Sequence, residues 1–236
     1  MMKMAAARSA YSLTDEKYRS PSGILLHSRT VVEKANFVST GILSFAEGDI
    51  LEIEMSEYKV FDLGDTVKLT VYSPGGIYMF ESTVVAKDHG ALIIINPPQN
   101  RNLFAEKREN PRITVKEEGR VLSVQMADGT DRLLEDKIEL SVHNISISGI
   151  GFTIREDLGI GKGAVVHLHL QLGFEMPCRA EIARTEKTEN GEFYYGAQFI
   201  DLAKDKANSL RAYVLKKQVE THFRTKREES AKRIFK

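Results

Sequence analysis

The chain has 236 residues, enough for one large core or two small ones. Charged residues at 28% and hydrophobic ones at 42% exclude a disordered chain, and no run approaches the ~20 apolar residues of a membrane helix. The formal net charge is zero but uneven: residues 201–236 hold 11 Lys and Arg against 5 Asp and Glu, with both signs interleaved, as on a solvated helix.

A single cysteine, Cys178, excludes an intramolecular disulfide framework and suits a reducing compartment. The stretch from Met1 to Arg8 lacks the hydrophobic region of a secretory signal, so a cytoplasmic protein is expected.

Residues 1–20 read as a flexible N-terminus. Residues 21–98 read as a first β-domain, with short apolar runs separated by turn residues. Its candidate strands are Ile24–His27, Gly41–Phe45, Ile50–Met55, Thr66–Tyr72, Tyr78–Ala86 and Leu92–Ile95. The intervening turns carry Gly48, Gly64, Gly75, Gly76 and Gly90 beside Asp, Ser or Pro, the chemistry of tight reversals. Strands at this spacing suggest a small closed barrel or a sandwich.

Asn96 to Arg101, with Pro97 and Pro98, ends this block and opens a linker over residues 99–112. A second β-block follows over residues 113–202, with candidate strands Ile113–Val115, Arg120–Met126, Asp131–Val142, Gly151–Ile154, Val165–Leu172, Arg179–Glu186 and Phe193–Ile200. Asp128 and Gly129 make a hairpin turn between two of them. Val166, Leu168, Leu170 and Leu172 alternate with polar residues and should line an interior. From residue 203 to 236 the period becomes helical: Ala203, Ala207, Leu210, Val214 and Gln218 form a stripe with Tyr213 beside it, uninterrupted by Gly or Pro. The first half of this helix is expected on the second β-block. For its second half the sequence leaves open a free end, a pairing with a second copy, or no fixed structure.

Two clusters carry chemistry. Arg108 and Arg112 sit on the linker, where they support no core, and Pro111 stiffens the approach to Arg112. Guanidinium suits bidentate contact with phosphate, the O6 and N7 edge of guanine, or stacking on a purine. Asn144 and Ser146 alternate with Ile145 and Ile147, so their side chains are expected on one face away from the core, where an amide and a hydroxyl can read a purine edge. Gly149 is expected to allow a left-handed turn and a close approach of ligand to backbone.

The RxxxR of Arg108 and Arg112, followed by NxSxxG at Asn144, Ser146 and Gly149, resembles the PilZ family, whose pattern is RxxxR with a later [D/N]xSxxG. The stretch from Tyr195 to Leu202 looks like that family's closing strand before a C-terminal helix, and the resemblance covers roughly residues 101–215. With the preceding β-domain, the layout resembles YcgR-like proteins. The resemblance implies a mainly β protein: an N-terminal split-barrel-like domain, a C-terminal six-stranded PilZ barrel and a long C-terminal helix. It implies a non-enzymatic receptor for cyclic di-GMP without other cofactor or metal, in which Arg108 and Arg112 grip guanine and phosphate while Asn144, Ser146 and Gly149 form the barrel side. Lys107 falls at a position that in this family bears on whether one or two ligand molecules bind. The output would pass to a protein partner, such as a flagellar motor component or a polysaccharide synthase, and a homodimer is compatible with it.

Other residues read as structural. His167 and His169 share a strand face but lack a third metal ligand nearby. Cys178 has no base beside it in sequence and reads as a small packed side chain. Arg224, Lys226, Arg227, Lys232 and Arg233 raise nucleic-acid binding as an alternative, weakened because no aromatic residues interleave with basic ones on the strands. A further alternative is a PilZ-fold interaction module that ignores nucleotide.

Overall fold

The computed structural model describes residues 23–104 and 110–234. Its first unit contains β1 (Arg29–Lys34), β2 (Phe37–Glu47), β3 (Ile50–Glu54), β4 (Thr66–Ser73), β5 (Gly76–Asp88) and β6 (Ala91–Ile95), closed in the order β1-β2-β3-β6-β5-β4. Closure removes free sheet edges, and every pair is antiparallel. Strand alternation sends Val32, Leu43, Leu51, Ile53, Val67, Leu69, Leu92 and Ile94 inward, joined by Phe61 from just after a 3-10 turn at Tyr58–Val60.

Two local expectations fail here. Residues 24–27 form no strand: Ile24 is buried and Leu25 and Leu26 exposed, and His27 takes φ 66, which breaks extended pairing. The strand that fills this place is β1, whose charged ends mask only two core-directed residues. After β6 the chain makes a 3-10 helix at Pro98–Leu103 and stays on the first barrel: Ile24 N–H donates to the Leu103 carbonyl at 2.8 Å, and Phe104 joins the first core.

The second unit contains β7 (Ile113–Gln125), β8 (Asp131–Ile145), β9 (Gly149–Ile154), β10 (Val165–Gln171), β11 (Glu175–Lys187) and β12 (Phe193–Ile200), closed in the order β10-β11-β12-β9-β8-β7. The hairpin turn at Asp128 and Gly129 holds through Met126 N–H to the Thr130 carbonyl at 2.8 Å. The two expected strands on either side of Lys116–Gly119 are one strand, β7, which crosses the charged stretch with a register shift between Thr114 and Glu117. Val166, Leu168, Leu170 and Leu172 are all buried in the second core, as their alternation predicts.

Helix α1 (Lys204–Ile234) begins after Ala203, which lies exposed before its first turn rather than in the buried stripe. At ~1.5 Å per residue, its 31 residues span about 45 Å, long enough to touch both barrels. Leu210, Tyr213 and Val214 pack into the second core, and the Tyr213 hydroxyl donates to Glu117 of β7 at 2.8 Å. The second half is neither free nor without structure. Gln218, His222 and Lys226, each four residues apart on one helical face, contact Asp49 and Glu52 of the first barrel. No helix among the described residues is long and apolar enough to cross a membrane.

Candidate functional site

The site is built by strand register on the outer face of the second barrel. Thr114 pairs with Asn144, Asn144 with Gly151, Gly151 with Gly196, and Gly196 with Arg184, giving one row across β7, β8, β9, β12 and β11. The inward neighbours Ile113, Ile145, Ile150, Tyr195 and Ala197 lie in the core, so this row faces out. A register shift between Val142 and Asn144 lets both His143 and Asn144 point outward between two core residues.

Two glycines keep the middle of the row low. A Cβ on Gly151 would collide with the Tyr194 hydroxyl and the Asn144 amide, and one on Gly196 would lie 2.9 Å from Arg184 Cγ. Over this floor Asn144 Nδ2 donates to the Tyr194 hydroxyl at 3.1 Å and Arg184 Nη2 donates to the same oxygen at 3.2 Å. The Arg184 guanidinium carbon lies 5.0 Å from the Tyr194 ring centroid, a cation–π arrangement. His143 Nε2 lies 2.8 Å from Thr153 Oγ1 at the border of the patch. The face thus offers an amide, a guanidinium and a phenol ring, a set able to bond a purine edge, pair with phosphate and stack on a planar base.

The NxSxxG residues divide by task. Asn144 is half-buried and presented outward. Ser146 does not share its exposed face, contrary to the alternation argument: it is 2% exposed, because β8 ends at Ile145 and the chain turns. Its Oγ accepts from Ser148 N–H at 3.3 Å, and its own N–H donates to the Gly149 carbonyl at 2.8 Å. Gly149 is outside the left-handed region, so the expected reason for glycine is replaced by another: a Cβ there would lie 2.5 Å from the Ala197 carbonyl oxygen. Ser146 and Gly149 therefore fix the turn and the β9–β12 approach that present Asn144.

Arg112 is exposed and precedes Ile113, which pairs with Ile145, so the arm enters the barrel beside the 146–149 turn. It lines a cleft of about 1080 Å³ between the barrels, together with Thr114, Glu47, Lys217 and Arg224. Arg108 and Lys107 lie outside the described residues.

Sequence reasoning missed Gly151, Arg184, Tyr194 and Gly196. For Tyr194 and Gly196 the signal was parity: they alternate with the core residues Tyr195 and Ala197 on β12. Arg184 gives no such signal, because a register shift between Ile182 and Arg184 decides its face. Among the described residues no group of three or more His, Cys, Asp or Glu side chains is placed to hold a metal. Burial pushes the Cys178 thiol up to about 12, so it is a packed group.

A family model described as PilZ domain matches residues 106–216. No curated protein sequence matches the chain. Among solved structures, the chain is similar to the Bacillus subtilis inhibitor of motility MotI/DgrA, at 15% identity over 84% of this chain and 99% of that one, with a TM-score of 0.41. It is similar to Escherichia coli YcgR in complex with c-di-GMP, at 13% identity over 86% of this chain and 88% of that one, with a TM-score of 0.39. It is also similar to the K. pneumonia MrkH–c-di-GMP complex, at 13% identity over 84% and 90% respectively, with a TM-score of 0.36. That match takes in the second barrel and the first turns of α1: the chain carries a PilZ domain over residues 106–216.

Proposed function

We propose that this protein is a cytoplasmic, non-enzymatic receptor for cyclic di-GMP that passes ligand binding to a protein partner by changing the arrangement of its two barrels. The observation that carries the reading is the outer-face row in which Asn144 stands beside the glycine floor of Gly151 and Gly196, with Arg184 laid over Tyr194 and Arg112 on the arm that enters alongside. A ligand with two guanines and two phosphates matches this donor set. The amide of Asn144 would read a guanine edge, Arg108 and Arg112 would grip phosphate or guanine from the arm, and Arg184 with Tyr194 would supply a second charge and a stacking surface. Ser146 and Gly149 would act by holding Asn144 in place. Lys107 would influence whether one or two ligand molecules are held.

Micromolar affinity requires about 8 kcal/mol, and charge-assisted hydrogen bonds contribute about 1.5–3 kcal/mol each, so four or five contacts suffice after the cost of ordering the arm. In this reading the first barrel extends through the 3-10 segment to Phe104, the arm runs from there to Arg112, the PilZ barrel spans 113–202 and the helix follows it. Calorimetric titration with cyclic di-GMP tests it, with one or two molecules bound per chain as the expected endpoint and no binding at ~100 μM as the refuting result. A motor component or a polysaccharide synthase is the class of partner this reading offers; a pull-down whose yield changes with ligand and with Arg112→Ala would support it, and one indifferent to both would favour a nucleotide-blind interaction module.

A further inference from the structure

The turn between β2 and β3 is touched from two sides. Gly48 there has φ +61, and a Cβ on it would lie 2.9 Å from Pro111 Cβ and 2.9 Å from Gln218 Oε1. The next residue is held by α1: Asp49 N–H donates to Gln218 Oε1 at 2.9 Å, and Gln218 Nε2 donates back to Asp49 Oδ2 at 2.9 Å. Farther along the same helical face, His222 Nε2 lies 2.8 Å from Glu52 Oε2 and Lys226 Nζ donates to Glu52 Oε1 at 2.9 Å. These are not rim contacts of small worth, since the Glu52 side chain is only 3% exposed and that of His222 only 10%. The arm, the first barrel and α1 therefore meet at a single glycine, and the arm's residue at that point directly precedes Arg112.

Resting on the receptor reading above, we infer that the grip of α1 on β3 is a latch that ligand binding opens. Between the Pro111 ring and the planar peptide of Arg112 only the Pro111 ψ can turn, so a displacement of Arg112 larger than that one rotation absorbs is passed to the seat of Pro111 on Gly48. Seated there, Pro111 turns Arg112 into the wall of the cleft; drawing Arg112 onto a ligand at the Asn144 face lifts Pro111 from Gly48 and disturbs the Gln218 pair beside it. The ligand-competent fraction is then limited by the latch, and coupling between the two is reciprocal. Weakening α1's grip must raise ligand affinity although Gln218, which sits on the Gly48 turn in the wall of the cleft that Arg112 also lines, is not among the groups proposed to contact ligand.

Titration of the full chain with cyclic di-GMP tests this with Gln218→Ala, and with Lys226→Ala as a second variant that leaves the turn intact. Both variants should bind roughly fivefold tighter than the parent. Spin labels on Leu63→Cys, which is 64% exposed on the first barrel, and on the exposed Glu189→Cys of the second should report a longer distance in ligand-free Gln218→Ala and in the ligand-bound parent, while buried Cys178 stays unlabelled. Equal or weaker binding by both folded variants, with the parent binding normally, overturns the latch while leaving the receptor reading intact. Absence of binding by parent and variants alike overturns the receptor reading and the latch with it.

Discussion

Asn144 and Tyr194, fifty positions apart in sequence, are joined by a 3.1 Å hydrogen bond from the Asn144 amide to the Tyr194 hydroxyl, directly over a glycine of the strand between them. The bond fixes which way the amide faces. Asn144→Ala removes that presented group without opening the core, so it should lower cyclic di-GMP affinity about tenfold while thermal stability stays within ~0.5 kcal/mol of the parent. Arg112→Ala, which removes a charge from the exposed arm, should lower affinity about thirtyfold, equivalent to roughly 2 kcal/mol. Titration and melting of the same preparations check both.

Two glycines in one strand should respond oppositely. At Gly149 an added Cβ meets the Ala197 carbonyl oxygen at 2.5 Å, and a backbone neighbour cannot step aside without parting β9 from β12. Gly149→Ala should therefore cost about 2 kcal/mol or more of stability. At Gly151 the added Cβ meets the ends of the Tyr194 and Asn144 side chains, which can swing away. Gly151→Ala should leave stability within about 1 kcal/mol and lower ligand affinity instead. Thermal melts and titrations of the pair separate the two behaviours.

The α1 contact should be sensitive to acid. Burial alone would raise the Glu52 carboxyl, but His222, Ser44 and Lys226 hydrogen-bond its charged form and hold it at about 2, below its ordinary 4.5. A depressed folded-state value contributes stability that is complete above about 4.5 and lost as pH falls towards about 2. Distances between labels on the two barrels should lengthen across this window in the parent. Glu52→Gln should show a loosened contact already at neutral pH and no step in the window; a profile identical to the parent's would count against the contact.

Cys178 should behave as an inert thiol. It is 9% exposed and burial pushes it up to about 12, so little thiolate forms at pH 8. Alkylation of the native protein should be slow and limited by unfolding, whereas the protein in denaturant should react at the rate of a free thiol.

The parts legible in the sequence are those set by local alternation and turn chemistry. The face of Val166, Leu168, Leu170 and Leu172 follows from period two alone, and Asp128 with Gly129 announces the long β7–β8 hairpin. The parts that were not legible depend on breaks in that period or on distant partners. Register shifts decide the faces of His143 and Arg184, and one carries β7 through Lys116–Gly119, which reads as a gap because its charges point outward from a continuing strand. The buried position of Ser146 follows from where β8 ends. The docking of α1's second half rests on Glu52 and His222, 170 residues apart, and a polar pair at that separation leaves no periodic trace.

Recognition of cyclic di-GMP by the second barrel and its arm stands or falls on a calorimetric titration of the full chain. Saturable binding in the micromolar range or tighter is expected, with one or two molecules per chain, weakened about thirtyfold by Arg112→Ala. No heat of binding up to ~100 μM ligand, or binding that Arg112→Ala and Asn144→Ala both leave unchanged, would contradict it.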